Sequence, residues 1–446
     1  MSQQITLRRG LDLRLQGALP AGERPRKVEV ARFAVCPEDF PGFQPKVEVH
    51  EGDTVLCGTP LLHDKSCDDI KLVSPVAGCV EAVERGERRR ILRVIVAAGS
   101  TDGAVEYAGM PVDAGQARQL LMGSGLWAMM RQLPYDIVPE SGRTPRDIFV
   151  TAFDSAPLAP SLTDMVGGRR DDLAAGVKVL SMLTDGKIYL GVPAGAGLSI
   201  DGAETVSFKG PHPAGNPSVQ AGAIAPVNKG ETVWMLDIAT LARIGRVALT
   251  GRPDWSATVA LTGSELDTPT LVETLAGASL GDLIKGNLKN DGLHKRVISG
   301  NVLTGRSVGA DGFLRWPYRQ VTVIPEGDDR DEFMGWASLS PSKMSSSASI
   351  PSRFMPWKRF APDARLLGGR RAMIMSGLYE KMLPMDIMAE YLIKAIIARD
   401  IDKMEALGIY EVTPADFALC EYIDPSKLEL QRLVREGLDY MRRETE

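Results

Sequence analysis

The stretch FQPKVEVHEGDTVLCGTPLLHDKSCDDIKLVSPVAGCVEAVERGERRRILRVIV, residues 43–96, decides how the chain begins. Short apolar runs at 47–49, 72–73, 80–83 and 91–96 alternate with turns at Glu51-Gly52-Asp53, Gly58-Thr59-Pro60 and Ser74-Pro75. Runs of this length, punctuated at this spacing, predict a small β-barrel or sandwich. Gly52 and Gly58 stand where turns call for positive φ, which other residues adopt poorly.

That punctuation resembles the barrel-sandwich hybrid of biotinyl and lipoyl carrier domains. Such carriers present a modifiable lysine at a hairpin tip. Counting back from Ser74-Pro75 puts the tip near Cys67-Asp68-Asp69, where there is no lysine. Lys65 lies about three residues too early, between Asp64 and Ser66. The reading is therefore an unmodified carrier-like scaffold, with a soluble lipoyl- or biotinyl-type carrier as the competing class.

Outward from this stretch, the totals are those of an ordinary globular protein. The 446 residues are 44% hydrophobic and 24% charged, enough for several domains. A net charge of −5 gives no basic face for nucleic acid. No apolar run approaches the roughly 20 residues that span a bilayer. Arg8, Arg9, Asp12 and Arg14 among single leucines do not read as a signal peptide. The five cysteines (36, 57, 67, 79, 420) contain no C-x-x-C pair, and the four histidines are scattered. No metal site, cluster or disulfide framework is indicated.

Four units follow in order. Residues 1–105 form the barrel, completed by a strand at 28–35. Residues 106–254 read as a Rossmann-like α/β domain: a helix across 116–133, ending before Pro134, then strands at 148–152, 187–191, 205–208 and 232–236 around a helix at 171–183. No G-x-G-x-x-G follows a strand, and no phosphate loop occurs, so no nucleotide site is read here. The loop Lys209-Gly-Pro-His212-Pro-Ala-Gly-Asn216-Pro217 is either a contact built on His212 and Asn216 or a stiff crossover, the second being favoured. Residues 255–327 fit a small β-grasp-like (SLBB-like) fold. Residues 328–446 begin with the Ser-rich linker 338–352 and continue into helices at 386–407, with Ile387, Met388, Tyr391, Leu392, Ala395 and Ile396 on one face, and at 428–443. Within this region Thr413-Pro-Ala-Asp416 is a capping sequence.

Six strings span this order: EGDTVLCGTPLLHDK, SPVAGCVEAVERGERR, RTPRDIFVTAFDSAPLAP, GPHPAGNPS, RVISGNVLTG and FALCEYIDPSKLEL. Together they resemble the A-subunit family of bacterial sodium-translocating NADH:quinone reductases. The chain is similar, more distantly, to the C subunit of Rnf complexes, which would make it a flavin- and NADH-binding subunit instead. In the tail only Cys420 stands where the relatives cluster cysteines, and one thiol cannot hold an iron–sulfur cluster. The resemblance implies a chain without a redox cofactor of its own. It would sit peripherally on the cytoplasmic side of the inner membrane, with the membrane-embedded B subunit as main contact. FAD, FMN, riboflavin and iron–sulfur would belong to the partners, and quinone would be the substrate. It also implies a quinone contact, for which Phe40 and Phe43 of the loop 36–43, and Arg131 and Tyr135 of 130–135, are the candidates. Aromatic faces and an oriented donor suit a planar headgroup.

Overall fold

The computed structural model describes residues 3–99, 103–329, 340–345 and 351–445. The opening stretch forms two small sheets around one core. Arg32–Val35, Ile91–Ala98, Gly78–Arg85 and Thr54–Val55 make the first, and Pro45–Val47, Pro60–Asp64 and Cys67–Val73 the second. Val55, Val80, Val94 and Val96 of one sheet meet Leu61, Leu62, Ile70 and Leu72 of the other. The hairpin turn falls at Lys65-Ser66, two residues before the predicted tip, because the register shifts between His63 and Asp64. Lys65 is thus exposed in the turn itself, which corrects the expectation that it lies about three residues before the tip.

The sheet of the α/β unit is parallel except for one edge strand, and its central strands are buried on both faces. Ile148–Thr151 lies between Ile188–Pro193 and Val233–Asp237, with Glu204–Lys209 beyond. Ile148, Val150, Trp234 and Leu236 face the helices Arg170–Leu180 and Ile238–Thr250. Phe149, Val233 and Met235 face Ala221 of the helix Pro217–Ile224. Period-two alternation with both faces covered explains why these strands read as continuous apolar runs. Asp237 ends its strand and caps the next helix, accepting from the Thr240 N–H at 2.6 Å.

The predicted helix 116–133 is shorter than its pattern. It runs Ala114–Gly123, and Gly125 then takes φ +78°. The apolar residues beyond are buried on every side: Trp127–Met129 forms a 3-10 turn and Arg131–Leu133 an antiparallel edge strand against Val233–Met235. Full burial of a short run mimics helical spacing.

A mixed sheet follows, with Ser256–Thr262, Thr270–Leu275, Lys295–Ser299 and Gln320–Pro325 around the helix Leu280–Ile284. The N-terminal segment is shared out. Gln3–Thr6 pairs with the α/β sheet, Arg26–Lys27 with Thr270–Leu275, and Arg32–Val35 with the barrel. Only the last of these completes the barrel; the first thirty or so residues lace three sheets together.

The C-terminal unit is helical. The predicted helix 386–407 is two, Ala389–Ala398 and Ile401–Ala406, broken where Arg399 turns left-handed and Asp400 caps the second. Its buried stripe is Ala389, Leu392, Ile393 and Ile396, so Met388 and Tyr391 face out, against expectation. The capping box at Thr413 forms as predicted, and Leu430–Thr445 closes the chain. Of the Ser-rich linker, 338–339 and 346–350 lie outside the described residues.

Two helices of the α/β unit touch backbone to backbone. A Cβ on Gly245 would lie 1.7 Å from the Asp172 carbonyl oxygen, and one on Gly176 2.4 Å from that of Leu241. Gly245→Ala should therefore lower stability by about 1–3 kcal/mol, as overpacking does, although alanine is intrinsically the better helix former. The urea-unfolding midpoint reads this; an unchanged or raised midpoint contradicts the close crossing.

Candidate functional site

The strand order places a switch point between Ile148–Thr151 and Val233–Asp237, since the chain leaves the first to one side and returns on the other. In open α/β sheets ligands bind outside the carboxyl ends of strands at such a point. A cleft of about 500 Å³ opens there, lined by Thr151 and Asp237 at the strand ends. The loop at His212, the segment Trp316-Pro-Tyr-Arg319, the edge-strand residue Arg131 and Arg435 of the last helix supply its other walls.

One carboxylate organises the near wall. Asp39 is buried, and Arg315 donates to it through Nε at 2.8 Å while the Trp316 N–H donates at 3.1 Å. The backbone oxygen of Asp39 accepts from Arg131 Nη2 at 2.5 Å. Burial pushes the Asp39 carboxyl up, and Arg315 opposes it. Beside it, Glu38 pairs with Arg306 and Arg90, each at 2.8 Å. Burial raises Glu38 as well, but these arginines outweigh it and hold the carboxyl down at about 2. On the far wall Arg319 binds Asp237 at 2.8 Å.

Three buried side-chain nitrogens of cleft residues have no partner among the described residues: Arg131 Nη1, His212 Nε2 and Trp316 Nε1. Their environment defines them. Ser155 Oγ accepts from the Gly215 N–H at 2.8 Å and lies 3.1 Å from His212 Nδ1. Burial holds the imidazole neutral, with its pKa down at about 4. Arg131 is steered by Asp136 at 3.8 Å and by the Asp39 carbonyl. A buried donor left unmade costs about 1–3 kcal/mol, so Arg131 Nη1 and Trp316 Nε1 favour a ligand with acceptor oxygens.

Of the four residues chosen from sequence, Arg131 lines the cleft. Phe40 lines a smaller cavity of about 70 Å³ that shares Asp39, Met129 and Trp316 with it. Phe43 is buried in the barrel–α/β core, with a core position and no cavity face. Tyr135 is buried in the helical unit's core, its hydroxyl 3.0 Å from Thr445 Oγ1. His212, read chiefly as part of a crossover, proves to face the cleft, whereas Asn216 is engaged by Asp416 at 2.8 Å. Trp316, Arg319 and Asp237 were not singled out; the run Arg315-Trp-Pro-Tyr-Arg319 just before a strand was the available signal. Among the described residues the grouping able to offer three ligand atoms to a metal is His294, Asp328 and Asp329, all exposed.

The His212 environment has a pH consequence. The folded imidazole titrates at about 4, below the ordinary 6.5, so the unfolded chain takes up the proton first. Stability contributed by the neutral ring is present above pH 6.5 and is lost as pH falls toward about 4. His212→Gln should flatten the pH dependence of the unfolding midpoint in this window; an unaltered slope counts against a buried neutral ring.

Family models match three segments: the NqrA N-terminal barrel-sandwich hybrid domain over residues 5–99, the NqrA second alpha/beta domain over 112–253, and the NQRA C-terminal domain over 258–310. Three relatives are each named as the A subunit of a Na(+)-translocating NADH-quinone reductase. That of Serratia proteamaculans is 36% identical over 99% of this chain and 100% of its own. That of Rhodopirellula baltica is 34% identical over 99% of each, and that of Neisseria meningitidis serogroup C 34% over 99% and 100%. A chain of an NAD+-reducing [NiFe]-hydrogenase superposes on 48% of this chain and 47% of its own, with a TM-score of 0.34 and 16% identity, too distant to bear on function. With identity above 30% over essentially the whole length, the chain belongs to the A-subunit family of the Na(+)-translocating NADH-quinone reductases.

Proposed function

We propose that this subunit presents the quinone headgroup to the complex through the interdomain cleft, holding no redox cofactor itself. The observation that carries the reading is the set of unpartnered buried side-chain nitrogens, Arg131 Nη1, His212 Nε2 and Trp316 Nε1, of residues lining one cleft. A quinone offers two carbonyl acceptors on a flat apolar ring. Arg131 would also stabilise negative charge that develops on a carbonyl oxygen during reduction, because its orientation is already set. Phe40 would act from beside Asp39, while Phe43 and Tyr135 would support Arg131 by packing on either side of its strand.

A nucleotide reading is disfavoured by what fills the switch point. There the helix Pro217–Ile224 presents its N-terminus, the usual seat of a phosphate. Asp416 reaches it from the helical unit, accepting from Ser218 Oγ at 2.7 Å and from Asn216 Nδ2 at 2.8 Å. A buried carboxylate there excludes an anionic ligand. NADH, the flavins (FAD, FMN, riboflavin) and the iron–sulfur centre are accordingly assigned to partner subunits, with the membrane-embedded B subunit as the main contact. The placement is peripheral, on the cytoplasmic side of the inner membrane. Among the described residues no helix is long and apolar enough to cross a membrane. Within this reading the α/β unit is Rossmann-like and the unit 255–327 β-grasp-like.

Tagged chain pulled from solubilised membranes should carry sodium-stimulated NADH:quinone activity; chain recovered alone and inactive contradicts the placement, and a yellow purified chain contradicts the cofactor-free reading. In that complex Arg131→Gln should raise the quinone KM about tenfold or more, the value of one charged hydrogen bond, while NADH oxidation by an artificial acceptor stays unchanged. A KM equal to wild type would remove Arg131 from the quinone site.

A further inference from the structure

The segment from Phe354 to Met375 crosses the surface as a strap tied down by its backbone. Arg14 donates to the Met355 carbonyl at 2.6 Å, and the Phe360 N–H reaches the Arg14 carbonyl at 2.8 Å. Further on, the Ala364 N–H donates to the Pro325 carbonyl at 3.1 Å and the Arg371 N–H to that of Ser426 at 3.0 Å. Phe360 is buried beneath it. The strap is therefore held in place, yet its large apolar side chains point away from the protein. Phe354 and Trp357 are 76% and 77% exposed, the most exposed aromatic residues among those described, and Leu366 and Leu367 follow at 57% and 42%. Folding alone gives no reason to leave such side chains in water.

The charges beside them have one sign. Lys358, Arg359, Arg365, Arg370 and Arg371 face a single acid on the strap, Asp363, which Arg365 already binds at 2.6 Å. Arg370 pairs with Glu429. Arg359 and Arg371 are exposed, with no side-chain partner among the described residues. The chain as a whole carries −5, so this strap is a local reversal of sign.

We infer that the strap is a lipid-contacting surface that lays Trp357, Phe354 and the Leu366-Leu367 pair into the headgroup layer of an anionic bilayer, with Arg359 and Arg371 on the lipid phosphates. Tryptophan is at home at this depth, where one end of the ring is apolar and the other wet. Single apolar side chains separated by arginines suit an interface better than a protein groove, which calls for a contiguous apolar face. The inference deepens the peripheral placement proposed above by naming the face that lies on the membrane.

The test is cosedimentation of the purified full chain with vesicles of phosphatidylglycerol and phosphatidylcholine, against vesicles of phosphatidylcholine alone. Binding should require the anionic lipid and weaken with salt. Each basic residue at an anionic surface is worth about fivefold in partitioning, so the double variant Arg359→Gln/Arg371→Gln should bind about 25-fold less. Phe354→Ser/Trp357→Ser, whose side chains are mostly in solvent, should keep the wild-type melting temperature and lose binding more than tenfold. No vesicle binding, or equal binding by both variants, overturns the lipid surface. If the chain binds no vesicles but still co-purifies with sodium-stimulated activity, the peripheral placement stands without this surface. If the Phe354/Trp357 variant instead loses co-purification with detergent-solubilised partner subunits while vesicle binding is unchanged, the strap is a protein contact and the inference is wrong.

Discussion

The buried Asp39 carboxylate is the constraint on which the arrangement of units rests. It sits on the barrel's aromatic loop, its charge is met by Arg315 of the mixed sheet, and its backbone oxygen holds Arg131 of the α/β edge strand. A charge removed from water must find a partner of good geometry, or folding bears a penalty of several kcal/mol. Here the partners come from two other units, so the barrel can bury its own loop only by docking on both. Glu38 extends the same junction with Arg90 and Arg306. Such polar junctions pack less densely than apolar cores, and the cleft opens beside this one.

That cleft combines an old position with new chemistry. Its location follows from strand order alone, as in any open parallel sheet. Its contents do not. The helix N-terminus that would receive a phosphate is occupied by Asp416, a residue that also closes the capping box of its own helix through the Thr413 N–H at 2.8 Å. What remains is a lining in which Arg131, Arg306, Arg319 and Arg435 alternate with the carboxylates of Glu38, Asp39, Asp136, Asp154 and Asp237.

Much of the architecture was legible in the residues. Barrel strands, parallel strands and the capping sequence at Thr413 all rest on local signals: turn residues at fixed spacing, buried β-branched runs and a side chain reaching its own helix start. The failures share a different cause. Residues 126–133 looked helical because burial on all sides leaves no periodicity to read. Met388 and Tyr391 were counted into the buried stripe, whereas Met388 precedes the helix as its N-cap and Tyr391 lies beside the stripe Leu392, Ile393 and Ile396. The strand Gln3–Thr6 could not be assigned to a sheet, since a pairing partner some 200 residues away leaves no local trace. Of the residues the resemblance suggested, Arg131 lines the cleft, while Tyr135, four residues on, turns into another core, which no local pattern could show. His212 was discounted because a histidine between prolines has an ordinary structural explanation.

From sequence alone came the kinds of unit, their order, and the family, because those depend on local patterning and on long strings shared with relatives. Tertiary structure alone decided which donors face one cavity, that a carboxylate from the last unit fills the phosphate position of the second, and that the strap at Trp357 points outward. Each of these depends on groups far apart in the chain meeting across unit boundaries. Distance through space, and the burial that sets whether a charge or a ring is satisfied, are properties of the packed whole.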